Sequence, residues 1–108
     1  MNCCTTPDDV KTLIEDKDCT NKLALLFKAF SEPIRIEILL AMLHNEICVN
    51  DLSILLNASQ PRISNQLRFL KQNNLIKSRK EKNNIFYSLN DEHIQIILNI
   101  GIEHINHL

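Results

Sequence analysis

The sequence predicts a mainly α-helical fold with one small β-hairpin, on three observations. Glycine occurs once (Gly101) and proline three times (Pro7, Pro33, Pro61) in 108 residues, too few breakers for a fold of many strands and turns. Leu and Ile recur at three- and four-residue spacing along most of the chain, the period of an amphipathic helix. The stretch 75–89 alternates instead, which is the period of a strand. The length suits a single domain, and 44% apolar with 23% charged residues reads as globular.

Each element follows from local pattern. Residues 8–16 form a first short helix behind Pro7, with Val10, Leu13 and Ile14 on one face. Residues 21–30 form a second that buries Leu23, Leu26, Phe27 and Phe30. Ser31-Glu32-Pro33 opens a third, the serine capping free amides and the proline tolerated in the first turn. Its stripe is Ile34, Ile38, Leu39 and Met42, and it runs to about His44. Asn50 or Asp51 opens a fourth with Leu52, Leu55 and Leu56 inward. Asn57-Ala58 turns the chain and Ser59 caps a fifth helix reaching about Asn73, with Ile63, Leu67 and Leu70 as its buried stripe. Residues 76–80 and 85–89 then make a hairpin around Glu81-Lys82-Asn83-Asn84, where asparagine tolerates the positive φ of a tight turn. Residues 91–108 are a final helix. Residues 1–20 are expected as an arm with a short helix, and 21–108 as the main body of one domain.

Net charge is −1, yet the charges are segregated. Residues 59–82 hold seven basic residues against Glu81 alone, and the rest of the chain is acidic. Such concentration suits phosphate neutralisation, while the acidic remainder discourages indiscriminate binding. The fourth and fifth helices have the spacing of a helix-turn-helix. The free face of the fifth carries Ser59, Gln60, Arg62, Ser64, Asn65, Gln66, Arg68 and Lys71, side chains able to read base edges and grip phosphates. The basic hairpin behind it is a wing, adding Arg79, Lys80 and Lys82. Double-stranded DNA is therefore the expected partner of a winged helix-turn-helix.

The last helix points to a metal. Its seven Ile and Leu between Ile94 and Ile105 cover too much circumference for one core-facing stripe. A second copy of the same helix is the simplest cover. Gly101 costs roughly 1 kcal/mol inside a helix and suits a close approach by another backbone. His104 and His107 share a face. His93 shares it too, but lies about 16 Å away at 1.5 Å per residue. One chain cannot bring both ends to one ion; two antiparallel copies can, setting Asp91 and His93 of one against His104 and His107 of the other. Asp91 and His93 converge only if Asp91 is a non-helical cap. Three imidazoles and a carboxylate suit tetrahedral Zn(II), with Co(II) as a surrogate. Such a shell leaves no position for substrate water, so the chain is not expected to be an enzyme or to take a small organic substrate.

Taken together, these residues resemble the ArsR/SmtB family of metal-sensing winged-helix repressors. The marks are Phe30-Ser31-Glu32-Pro33-Ile34-Arg35, Glu46-Ile47-Cys48-Val49-Asn50-Asp51-Leu52, Ser59-Gln60-Pro61-Arg62-Ile63-Ser64-Asn65-Gln66-Leu67, Tyr87-Ser88-Leu89 and the closing Asp-x-His…His-x-x-His. The resemblance implies a homodimer, joined through N- and C-terminal helices, that holds operator DNA when metal-free. Metal releases it and derepresses a gene for metal efflux or sequestration. His104 is expected to donate to a backbone carbonyl near Asn73 and Asn74, tying metal to the DNA-reading helix.

Thiol-using members read Cys-Val-Cys where this chain reads Cys48-Val49-Asn50. Cys48 and Asp51 nevertheless match positions that pair with N-terminal cysteines across the dimer. A second site from Cys3, Cys4, Cys48 and Asp51 would suit Cd, Pb or Zn. The rivals are thus a thiol-based Cd, Pb or As sensor and a winged-helix module that grips protein. Cys19 is expected to be an inert thiol. Neither a membrane-length apolar run nor a signal peptide is seen, which fits a soluble cytoplasmic protein.

Overall fold

The computed structural model describes residues 9–108; Cys3 and Cys4 lie outside them. The order is α1 (Val10–Glu15), α2 (Lys17–Ala29), α3 (Pro33–Ala41), β1 (Ile47–Cys48), α4 (Val49–Leu56), α5 (Gln60–Gln72), β2 (Ile76–Glu81), β3 (Asn84–Leu89) and α6 (Glu92–Asn106). This is the mainly helical architecture expected, with one addition. The hairpin gains a third strand, β1, which pairs antiparallel with β3 so that the sheet order is β1-β3-β2. Two residues are too short a run for alternation to mark.

Cap chemistry sets the helix ends. Asp16 accepts from the Cys19 amide at 3.0 Å, so α2 begins at Lys17, earlier than periodicity implied. The expected division after residue 20 falls inside this helix. Ser31 does not cap α3: its hydroxyl donates to the Lys28 carbonyl at 2.6 Å, closing α2 instead, and Glu32 takes the cap position without a side-chain bond. Ser59 does cap α5, accepting from the Arg62 amide at 3.3 Å. In the wing turn the positive φ belongs to Lys82, at 56°, not to an asparagine.

The core lies where α3, α4, α5 and the base of the sheet meet. Ile34, Ile38, Leu39 and Met42 on α3 and the turn after it, Leu52 on α4, and Ile63, Leu67 and Leu70 on α5 are all buried. Leu75 and Ile76 close it from the sheet, and Ile94 and Leu98 bring α6 onto it. The periodic stripes of α3 and α5 are thus the core faces. Leu26, Phe30 and Leu56 are only half-buried, and three further expected core residues are exposed in the protomer. Leu23, Phe27 and Leu55 are all more than half exposed, because the apolar faces of α2 and α4 are wider than the core they meet. Among the described residues no helix is long and apolar enough to cross a membrane.

Candidate nucleic-acid interface and ligand positions

The helix-turn-helix is stapled at its turn. Asn57 takes the left-handed conformation with φ 51°, one that asparagine reaches more readily than most residues. Ser53 and Ala58 bond twice: the Ala58 amide donates to the Ser53 carbonyl at 3.1 Å, and the Ser53 hydroxyl donates to the Ala58 carbonyl. Gln60 adds a side-chain bond to Asn50 at 3.0 Å. These contacts set α5 at a fixed angle on α4, with its polar face outward.

The basic residues sort into engaged and available groups. Arg62, Lys80 and Lys82 are exposed and make no ion pair among the described residues. Among the described residues Arg68 reaches only Asn65, at 3.4 Å. By contrast, Lys71 donates to Ser78 at 2.7 Å, joining α5 to the wing. Gln66 is half-buried and accepts from Arg35 at 3.2 Å. Arg35 also packs its guanidinium 3.8 Å from the Phe69 ring centroid, so it seats α5 on α3. Arg79 is held by Glu46 and Glu81. Several residues expected to face DNA are thus bound within the protomer, because long polar side chains on a face can fold back onto neighbours that sequence spacing does not show. Glu46, Asn50 and Arg35 are the partners that went unread.

At the other end of the molecule, Asp91 is the extended N-cap of α6 (φ −158°). Its Oδ1 accepts from the amides of His93 and Ile94 at 2.9 and 3.3 Å and stands 3.4 Å from His93 Nδ1. Asp91 thus takes the non-helical cap position that approach to His93 requires. His104 and His107 are exposed at the C-terminal end of α6. Among the described residues no group of three or more His, Cys, Asp or Glu comes together within one chain. Among the described residues His104 forms no side-chain hydrogen bond, so the expected link to a backbone carbonyl near Asn73 and Asn74 is not seen within one chain.

Cys48 is a free, half-buried thiol at the N-cap of α4, with Asp51 in the first turn of that helix. Cys19, expected as an inert thiol, is instead buried and disulfide-bonded. Between α2, α3 and α6 runs an apolar groove of about 220 Å³, lined by Phe27, Phe30, Leu40, Ile97, Gly101 and Ile105 among others.

A reading helix held at a stapled turn, a basic wing and an outward polar face define a winged helix-turn-helix DNA-binding regulator. Residues 32–78 match the family described as bacterial regulatory protein, arsR family. A transcriptional repressor SmtB homolog from Synechocystis is 34% identical over 91 residues, 84% of this chain and 67% of that protein. A cadmium resistance transcriptional regulatory protein CadC homolog from Staphylococcus aureus is 35% identical over 83 residues, 76% and 69% of the two chains. The structure titled reduced HlyU, from Vibrio cholerae, superimposes with a TM-score of 0.74 at 31% identity, covering 80% of this chain and 90% of that one. The chain belongs to the arsR family of bacterial regulatory proteins.

Proposed function

We propose that the chain is a homodimeric, metal-responsive transcriptional repressor. The dimer holds operator DNA with α5 in the major groove and the wing alongside, and Zn(II) lowers that affinity and derepresses a gene for metal efflux or sequestration. One observation carries the reading. Asp91 and His93 converge at one end of α6 while His104 and His107 are exposed at the other, about 16 Å apart by helical rise. An ion served by all four must be shared between two chains.

The apolar groove beside α6 and the exposed Phe27 and Ile105 offer the surface on which a second copy would lie. The names of the relatives agree in kind: a repressor, a cadmium resistance regulator, an arsenical resistance operon repressor. Three imidazole nitrogens and one carboxylate make a donor set suited to Zn(II), with Co(II) as a surrogate. When bound, such an ion would cross-link the two α6 helices. The protein side of the device is its own: Asp91 orients His93, and the core residues Ile94 and Leu98 join α6 to the body that carries α5.

The test is zinc stoichiometry per dimer for wild type and for His93→Ala, with DNA affinity measured alongside. Wild type should take two ions per dimer and lose DNA affinity; His93→Ala should bind DNA when metal-free but not respond. A fully responsive His93→Ala overturns the reading. The thiol alternative, with Cys48 joined by Cys3, Cys4 and Asp51, is favoured by the free Cys48 and requires the disulfide at Cys19 to be reduced. Intense sulfur charge-transfer absorption on Co(II) loading would select it.

A further inference from the structure

Beside the Lys71–Ser78 bond to α5, one arginine ties the wing to the segment that leads into α4. Arg79 on β2 faces Phe86 on β3, and Phe86 faces Cys48 on β1. Residues directly opposite share a face of the sheet, and so do residues two apart along a strand. Glu46, two residues before Cys48, therefore lies on the same face as Arg79. The guanidinium crosses Phe86, 4.9 Å from its ring centroid, and meets Glu46 at the far edge. Arg79 Nε donates to both Glu46 oxygens, at 2.8 and 3.0 Å, and Nη2 donates to Oε1 as well. Nη1 donates to Glu81 at 2.8 Å. The hydrogen bond from Arg79 holds the Glu46 carboxyl below its ordinary range.

We propose that Arg79 is a wing-positioning residue, anchored by Glu46, and not a phosphate ligand. The inference rests on the reading that the wing touches DNA, and two physical arguments carry it. Each nitrogen of the guanidinium fork is occupied by a carboxylate, and one cation between two anions offers a phosphate no net attraction. The anchor is also well placed: Glu46 leads through β1 directly into α4, so the Arg79–Glu46 pair sets the wing angle relative to the reading helix. Lys77, Lys80 and Lys82, exposed and without an ion pair among the described residues, are the wing cations left for phosphate.

The sign of one substitution separates the alternatives. Glu46→Gln raises the net charge near DNA by one, and simple electrostatics would tighten binding. If Glu46 positions the wing, binding weakens instead. The experiment uses the metal-free full chain and a duplex selected by the wild-type protein from a random-sequence pool, with affinity followed across a salt series. Glu46→Gln and Arg79→Gln should each weaken binding about tenfold with an unchanged salt slope, whereas Lys80→Ala should flatten the slope by about 0.9. Hydrogen exchange at β2 and β3 amides should rise in the first two variants and stay unchanged in the third.

Tighter binding by Glu46→Gln, or a flattened slope in Arg79→Gln, overturns the proposal. A lowered melting temperature with unchanged affinity of the folded protein also overturns it, since that marks a purely stabilising pair. If Lys80→Ala leaves the slope intact, the wing reading itself has failed. The anchor is then judged by exchange alone, and unchanged wing exchange rejects it.

Discussion

At Asp91 one carboxylate oxygen accepts from two backbone amides and faces the His93 ring. Cap and ligand roles make different demands, and substitutions can part them. Asparagine caps a helix as well as aspartate does, whereas alanine in place of a cap costs about 1 kcal/mol. Asp91→Asn should therefore keep thermal stability within a few tenths of a kcal/mol while losing the zinc response. Asp91→Ala should lose both. Thermal denaturation beside a zinc titration reads the two effects; a normal zinc response in Asp91→Asn would remove the carboxylate from the ligand set.

The wing shows the same tension across a whole element. Its turn places Lys82 at φ 56°, a conformation that costs a residue with a Cβ about 1 kcal/mol more than glycine. Lys82→Gly should stabilise the protein by about that amount and at the same time weaken DNA binding, as chemical denaturation and DNA titration would record. Acid acts on the other side of the element. Glu46 is held below its ordinary range by Arg79, so the folded protein resists its protonation more than the unfolded chain does. The pair's contribution is complete above the unfolded value and is lost as pH falls through the lowered one. Wing protection should thus be flat through neutral pH and fall only in acid. In Arg79→Gln the Glu46 carboxyl, followed by NMR, should return to its ordinary titration range.

For the molecule as a whole, Gly101 is the informative position. A Cβ built there meets nothing within 4 Å among the described residues, so their packing gives no reason for a residue that costs about 1 kcal/mol in a helix interior. Phe27 at 55% and Ile105 at 66% exposure flank the same groove. A close approach by a second copy supplies the missing reason. Gly101→Leu should leave the fold intact, yield a monomer in sedimentation, and with it abolish high-affinity zinc binding. A dimeric Gly101→Leu protein would place the pairing surface elsewhere.

Much of this architecture is written in local pattern. The stripes of Ile34, Ile38, Leu39 and Met42, and of Ile63, Leu67 and Leu70, could be read directly, because helical period is a property of the backbone and burial merely follows it. The cap at Ser59 and the cap geometry of Asp91 were legible for the same reason: they answer amides only two or three residues away. What covers an apolar face is a different matter. Leu23, Phe27 and Leu55 have the right period, yet the core stops short of them.

Arg79 and Glu46 lie 33 residues apart in the chain, and Arg35 and Gln66 lie 31 apart. Charge pattern assigned Arg79 to DNA, and helical face assigned Gln66 to it. By itself, then, the sequence determined the helices, the hairpin, the basic face and the ligand types at the two ends of α6. Only the tertiary structure decided which polar groups are already spent on one another. Such pairings depend on distances across the fold, and side chains long enough to reach several partners settle on the one that folding brings within hydrogen-bond range.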